Sequence, residues 1–197
     1  MPVSLEECEL VGHAGEVSAG LDLALDGLTA EAAPGEVAAL PAHRVPAGLP
    51  VVRHDLGAGE GVTFARPPAR RPAPPGELTA LGARLGAVRL GLTRRLLAAA
   101  VDHLSGRVVQ GEPTVRLQLV QAALADARVT VRTARHCLRA AGDVPGAVVD
   151  VHDRVTALDW ELTKLLGASG YVGRGPARTA FVSRLVANCW LSREGVA

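Results

Sequence analysis

The chain has 197 residues, 48% of them apolar, which is enough for one domain with a substantial core. Its 21 basic and 20 acidic residues leave a net charge of +1, which excludes the electrostatic footprint of a nucleic-acid or acidic-membrane binder. All the basic residues are Arg except Lys164, and Ala, Gly and Val are abundant; this is the skew of GC-rich coding, not an RNA-binding signal.

The first residues, MPVSLEECELVGHAGE, carry acids where a signal peptide needs bases, and no apolar core follows them. No uncharged apolar run approaches a membrane span, so the expected compartment is the cytoplasm. Cys8, Cys137 and Cys189 lie far apart with no CxxC pair, which argues against a metal site or a disulfide framework. Cys137 and Cys189 fall in helical patterns and read as core residues. Residues 1–75 are rich in Gly and Pro and lack a long period. Three short apolar stretches, Glu36–Leu40, Leu49–Arg53 and Gly61–Ala65, are separated by turn signals and predict short strands. Leu21–Leu28 fits a strand or a helical turn equally. ARPPARRPAPPG (65–76) holds five prolines, which excludes a helix interior and a central strand and leaves a linker or an extended crossing segment.

Beyond residue 75 the pattern is helical. Leu78, Leu81, Leu85, Val88, Leu92, Leu96 and Ala99 step by threes and fours, which predicts a long amphipathic helix ending near Gly106. After the loop VVQGEP, Pro113 suits the first turn of a second helix carrying Val120, Leu124, Ala127, Val131, Ala134 and Leu138. A third carries Val148, Val151, Val155, Leu158, Leu162 and Leu165. The glycine loop GASGYVGRGP leads to a fourth, from near Pro176, with Phe181, Leu185 and Cys189. Four amphipathic helices on short loops predict a mainly α fold, an up-down four-helix bundle over 76–197, behind a reduced β or irregular segment over 1–75. Trp160 and Trp190 read as core or interface anchors. Asp150 with Arg154, and Asp126 with Arg128, read as helix-face ion pairs. His103, His136 and His152 read as surface or helix-lining residues, although His152 has Asp153 and Asp159 within reach.

The helix junctions carry a more specific pattern. In RVVQGEPTVRLQ (107–118), Arg107, Gly111, Pro113 and Gln118 fall at the spacings of an Arg, an aromatic-Gly pair, a Pro and a Gln in the acyl-CoA dehydrogenases; Gln110 replaces the aromatic. LADA (124–127) resembles a Leu-Ala-Asp stretch of that family. LLGASGYVGRGP (165–176) resembles its Gly-Gly-x-Gly-Tyr loop, with Gly167, Gly170, Tyr171 and Pro176 matching. The chain therefore resembles the C-terminal helical-bundle domain of the acyl-CoA dehydrogenase family, as a truncated and divergent member. The resemblance implies the bundle fold, assembly through it, and FAD. It also implies that Arg107 and Gln118 touch the ADP part of a flavin held mainly by a neighbouring subunit, with Gly167 and Gly170 letting the backbone approach. A guanidinium can pair with a pyrophosphate through two parallel bonds, and a Gln amide can satisfy a nucleotide edge.

The family's base is a Glu that removes the substrate's α-proton while hydride passes to flavin. Its two family positions fall here at Leu191 and Leu81, neither acidic. Glu77 and Glu194 lie a few residues away. Lys164, Ala168 and the pair Val182-Ser183 also depart from the family pattern. The expected function is a non-catalytic or half-site subunit of an oxidoreductase, sharing FAD with a homo- or hetero-oligomeric partner such as a full-length acyl-CoA dehydrogenase. Two readings stay open beside it: a free-standing flavoenzyme with a displaced base, and a non-enzymatic helical-bundle protein for binding or assembly. No metal, nucleic-acid or membrane partner is expected.

Overall fold

The computed structural model describes residues 3–172 and 175–193. Helices α1 (Leu5–Ala14) and α2 (Val17–Leu25) come first. Strands β1 (Ala38–Pro41), β2 (Val51–Val52) and β3 (Val62–Ala65) follow, with a single-turn α3 (Asp55–Ala58) between the last two. The long α4 (Pro75–Gly106) leads through the hairpin β4 (Val108–Val109) and β5 (Glu112–Pro113) to α5 (Gln118–Ala141), α6 (Pro145–Leu165) and α7 (Pro176–Trp190).

α4 is the axis of the molecule. It packs against α5, α6 and α7, and α5 and α7 each also pack on α6. The periodicity predicts an amphipathic helix, yet α4 is buried on nearly every side from Leu81 to Thr93. The difference is α1, which covers the face of α4 that Gly91 opens. Serine 4 caps α1: Glu7 N donates to its Oγ, while Glu7 Oε2 accepts from the Ser4 backbone N–H. Glu9 then points inward to Arg94 of α4 (2.9 Å) and Arg135 of α5 (2.8 Å from Nε). Burial alone would push the Glu9 carboxyl up, but Arg135 and Arg94 together hold it below its usual range.

The three predicted strands form one antiparallel sheet in the order β1-β3-β2, with Ala38 opposite Ala65 and Val51 also opposite Ala65 on the other side. Leu21–Leu25 are helical. The proline-rich stretch is an extended crossing segment, tied down where Arg71 and Ala73 donate backbone N–H to the carbonyls of Glu31 and Ala32. Trp190 is fully buried and donates its indole N–H to the Ala39 carbonyl at 2.9 Å, which joins the end of α7 to the sheet. Trp160, by contrast, is 56% exposed.

The second bundle helix begins later than its Pro113 suggests. Val108 and Val109 pair with Pro113 and Glu112 around Gln110-Gly111, both in the left-handed region (φ 53° and 85°), as a two-residue hairpin turn requires. Pro113 is therefore a strand residue, and a 3₁₀ turn over Thr114–Arg116 delays α5 to Gln118. Asp150 and Arg154 pair at 2.6 Å as their spacing predicts, whereas Asp126 and Arg128 do not pair. Among the described residues no helix is long and apolar enough to cross a membrane.

Candidate functional site

Because α4 to α7 alternate in direction, one end of the bundle gathers four features that are far apart in sequence. The C-terminus of α4, the N-terminus of α5, the C-terminus of α6 and the N-terminus of α7 all lie there. Arg107, Gln118, Gly167 and Gly170 are consequently at the same end. Arg107 caps α4, and its backbone carbonyl accepts from the Thr114 N–H and hydroxyl at 2.7 and 2.8 Å. Its side chain is exposed and has no carboxylate partner among the described residues. It lies beside Gly167, where a Cβ would sit 3.9 Å from Arg107 Nη1. Gly167 has φ +58°, a conformation that favours glycine. Gln118 is exposed at the first position of α5. Gly170 has a different reason to be glycine: a Cβ there would come within 2.6 Å of the Thr163 carbonyl of α6, so packing alone requires it.

The opposite end holds the N-terminus of α4 and the C-terminus of α7. Leu81 is fully buried, and the next residue, Gly82, is so close to α7's end that an added Cβ would meet Leu191 Cδ2 at 3.1 Å. Leu81 and Leu191 thus lie at one junction, where both family base positions are leucine. Glu77 is exposed one turn earlier, and Glu194 lies outside the described residues. Asp153 is held by Arg193 through bonds of 3.1 and 2.6 Å, which keep its carboxyl below the usual range. About 38 Å of α4 separates this junction from Arg107, at a rise of about 1.5 Å per residue.

Between the two ends, α4 and α6 are joined by a buried polar chain. Arg89, 2% exposed, donates from Nη1 to His152 Nδ1 and to the His152 carbonyl, both at 3.1 Å. Its Nη2 reaches Thr156 Oγ1 at 2.9 Å and Asp159 Oδ2 at 3.4 Å, and Thr93 Oγ1 donates to Asp159 Oδ1 at 2.7 Å. An Arg can only donate, so His152 Nδ1 is the acceptor and Nε2 carries the proton, donated to the Gly82 carbonyl at 2.9 Å. Burial, reinforced by the Arg89 charge, pushes His152 down to about 3 from its ordinary 6.5. Burial also pushes Asp159 up, against Arg89 and Thr93, which favour its anion.

His152 makes the fold acid-sensitive. The unfolded chain binds its imidazole proton near pH 6.5, and the folded chain does not until about pH 3. The associated stability is complete above the unfolded value and is lost as pH falls between these limits. At pH 4.5 the loss is on the order of 3 kcal/mol. Urea denaturation at neutral and acid pH measures the total. An NMR titration isolates the residue: its resonances should stay in the neutral form down to pH 4.5, and a midpoint near 6.5 would overturn the assignment.

With this geometry in place, comparison with known proteins shows what the bundle is similar to. Residues 83–169 match the family model for the "Acyl-CoA dehydrogenase, C-terminal domain". Over that stretch, most of α4 with α5 and α6, the bundle is similar to the acyl-CoA dehydrogenase C-terminal domain. Solved structures agree in fold. A variant of the Tcur3481-Tcur3483 steroid ACAD is similar at 23% identity and a TM-score of 0.56, over 72% of this chain and 44% of that one. Glutaryl-CoA dehydrogenase from Mycobacterium smegmatis in complex with FADH2 gives 21% and 0.56, over 75% and 48%. Butyryl-CoA dehydrogenase from Megasphaera elsdenii gives 19% and 0.54, over 74% and 46%. The chain thus spans less than half the length of each of these three dehydrogenases. No curated protein sequence matches it.

The acyl-CoA dehydrogenase resemblance pointed to the two ends of the bundle and missed its middle. Arg89 lies inside AVRLGLT, a run that reads as ordinary helix, and nothing in a single sequence marks that Arg as buried. A hint was present in Arg89 itself, which occupies the turn between Leu85 and Leu92 on an otherwise apolar stretch. Sequence proximity places acids beside His152, whereas the fold pairs it with a cation, Arg89. The thiols of Cys8 and Cys189 are pushed up to about 11 by burial, which makes them poor nucleophiles at neutral pH.

Proposed function

We propose that this chain is an acyl-CoA dehydrogenase-like subunit without a base of its own, which lends Arg107 and Gln118 to an FAD seated mainly in a partner chain. The observation that carries the reading is the separation of the two ends. Among the described residues the Leu81–Leu191 junction offers no free carboxylate to an α-carbon, Asp153 being tied to Arg193. The Arg107 end, a helix length away, keeps a guanidinium with no carboxylate partner among the described residues, beside a glycine at positive φ. A chain can lose the first end and still serve a cofactor at the second. FAD would supply the hydride acceptor, and the base would come from the partner. The residues present fit the ADP portion: Arg107 can bridge two phosphate oxygens, and the Gln118 amide can bond a polar edge.

Assembly is supported by the surface around Arg107. Val108 is 61% and Leu119 86% exposed there, on the same hairpin and helix start as the proposed cofactor contacts. Apolar side chains this open, next to a charged site, favour a covering subunit over bare solvent. A hetero-oligomer is the arrangement that restores a carboxylate.

Co-expression with an acyl-CoA dehydrogenase chain that retains its base tests the proposal. The isolated chain is expected to be colourless, and the co-purified complex to show the flavin absorbance band. Arg107→Ala is expected to weaken flavin retention in that complex by roughly tenfold or more, the scale of one charge-assisted contact. Unchanged retention by Arg107→Ala would sink the shared-site reading. Dehydrogenation by the isolated, flavin-loaded chain would instead establish a displaced base.

A further inference from the structure

A cavity of about 420 Å³ lies between the C-terminal half of α6, the turn that follows it, α7 and the short α3. That volume suits a small organic molecule. Its walls are aromatic. Trp160 and Tyr171 meet edge to face with ring centroids 5.9 Å apart, and Phe181 lines the cavity with them. Tyr171 is 57% exposed, like Trp160, so both rings are presented to an incoming molecule and not packed into the core.

The charged groups at this cavity do not balance. Arg178 is neutralised by Glu60, with Nε donating to Oε1 at 2.8 Å. Asp159 has one oxygen on Arg89 and the other on Thr93. Thr156 and Thr163 donate their hydroxyls to carbonyls of their own helix. Arg184 is left over. Its guanidinium carbon sits 5.0 Å from the Phe181 ring centroid, and its Nε is buried without a hydrogen-bond partner among the described residues. No carboxylate pairs with it among those residues. A cation that lines an aromatic cavity and is bonded to no carboxylate among the described residues favours an anionic acceptor there.

We propose that this cavity binds an apolar monocarboxylic acid, with the carboxylate on Arg184 and the apolar body against Trp160, Tyr171 and Phe181. One uncompensated cation matches one negative charge. A phosphate's second charge would find no partner here. The planar guanidinium fork also matches the two coplanar oxygens of a carboxylate. Of the residues in the flavin reading only Gly170 touches this cavity; Arg107 and Gln118 take no part, so failure of this proposal and failure of the flavin reading are separate results.

The test uses 4-phenylbutyrate and its uncharged counterpart 4-phenyl-1-butanol, with the intact chain and no flavin. Trp160 is the reporter, because Trp190, the other tryptophan, is fully buried. Saturable quenching of Trp160 by the acid is expected, with roughly tenfold or more preference over the alcohol. Arg184→Gln should abolish the preference while leaving the circular dichroism spectrum intact, and Arg184→Lys should keep part of it. Trp160→Phe should remove the signal but leave binding measurable by calorimetry. Equal affinity for acid and alcohol, unchanged acid binding by Arg184→Gln, or no saturable binding by calorimetry would each overturn the proposal. If Arg184→Gln does not fold, the acid-to-alcohol ratio of the natural chain decides alone.

Discussion

Replacing Arg89 by Met is expected to destabilise the fold by about 3–5 kcal/mol, the range for removing one partner of a buried ion pair. The reason is what stays behind. Asp159 is itself buried, with 9% of its surface exposed, and without Arg89 its charge keeps only the Thr93 hydroxyl. His152 Nδ1 loses its donor in the same step, and the His152 carbonyl loses the Arg89 bond. Two helices, α4 and α6, are then left with unpaired polar groups across their contact. Urea denaturation measures the loss.

A double variant separates the pair's worth from the penalty of orphaning it. Arg89→Met with Asp159→Leu removes both charges and puts apolar volume in their place, so it should recover most of the stability. A single Arg89→Met variant within about 1 kcal/mol of the natural chain would show that Asp159 finds other relief, and the buried-chain account would be wrong. The neighbouring cation Arg184 already acts on the Asp159 titration and is the group to look at in that event. The pair also ties the fold to its candidate ligand cavity: Thr156 and Asp159 belong to the polar chain and to the cavity wall at once.

How much of this could be read from the residues alone follows from what periodicity reports. Apolar spacing reveals a face, so the bundle helices and their breaks at Gly106, Gly142 and Gly167 were legible. Turn signals likewise marked the three strands. Periodicity does not reveal a helix buried on all sides, because α4 needs α1 as a cover and α1 carries three glutamates in its ten residues. The capping box Ser4-Leu5-Glu6-Glu7 was the available sign of α1, and it stands in plain sequence. The approach of Gly82 to Leu191, and of Arg107 to Gly167, depends on chain direction at the bundle's ends. Spacing along the sequence suggests each partner but not the contact. The Arg184 cavity draws on α3, α6 and α7 together, and no local pattern contains it.

The contact between α1 and α4 is the other place where one atom should matter most. A Cβ on Gly91 would fall 2.2 Å from the Glu9 carbonyl oxygen and 2.5 Å from the His13 nitrogen; one on Gly12 would fall 2.1 Å from the Val88 carbonyl oxygen. These are backbone atoms, so no rotamer change can yield, and the helices must separate. Alanine at 91 gains about 1 kcal/mol of helix propensity. Overpacking against backbone costs about 3 kcal/mol or more, so destabilisation wins. Separation also draws Glu9 away from Arg94 and Arg135, and it exposes Cys8. Gly91→Ala is therefore expected to raise hydrogen exchange across α1 and lower the melting temperature. Gly76→Ala is the control: it lies in the first turn of the same helix with nothing within 4 Å of the added Cβ. If the two variants melt together and α1 stays protected in both, α1 does not rest on a glycine contact. If α1 alone loses protection while α4 to α7 keep theirs, the bundle is a folding unit that α1 covers and does not create.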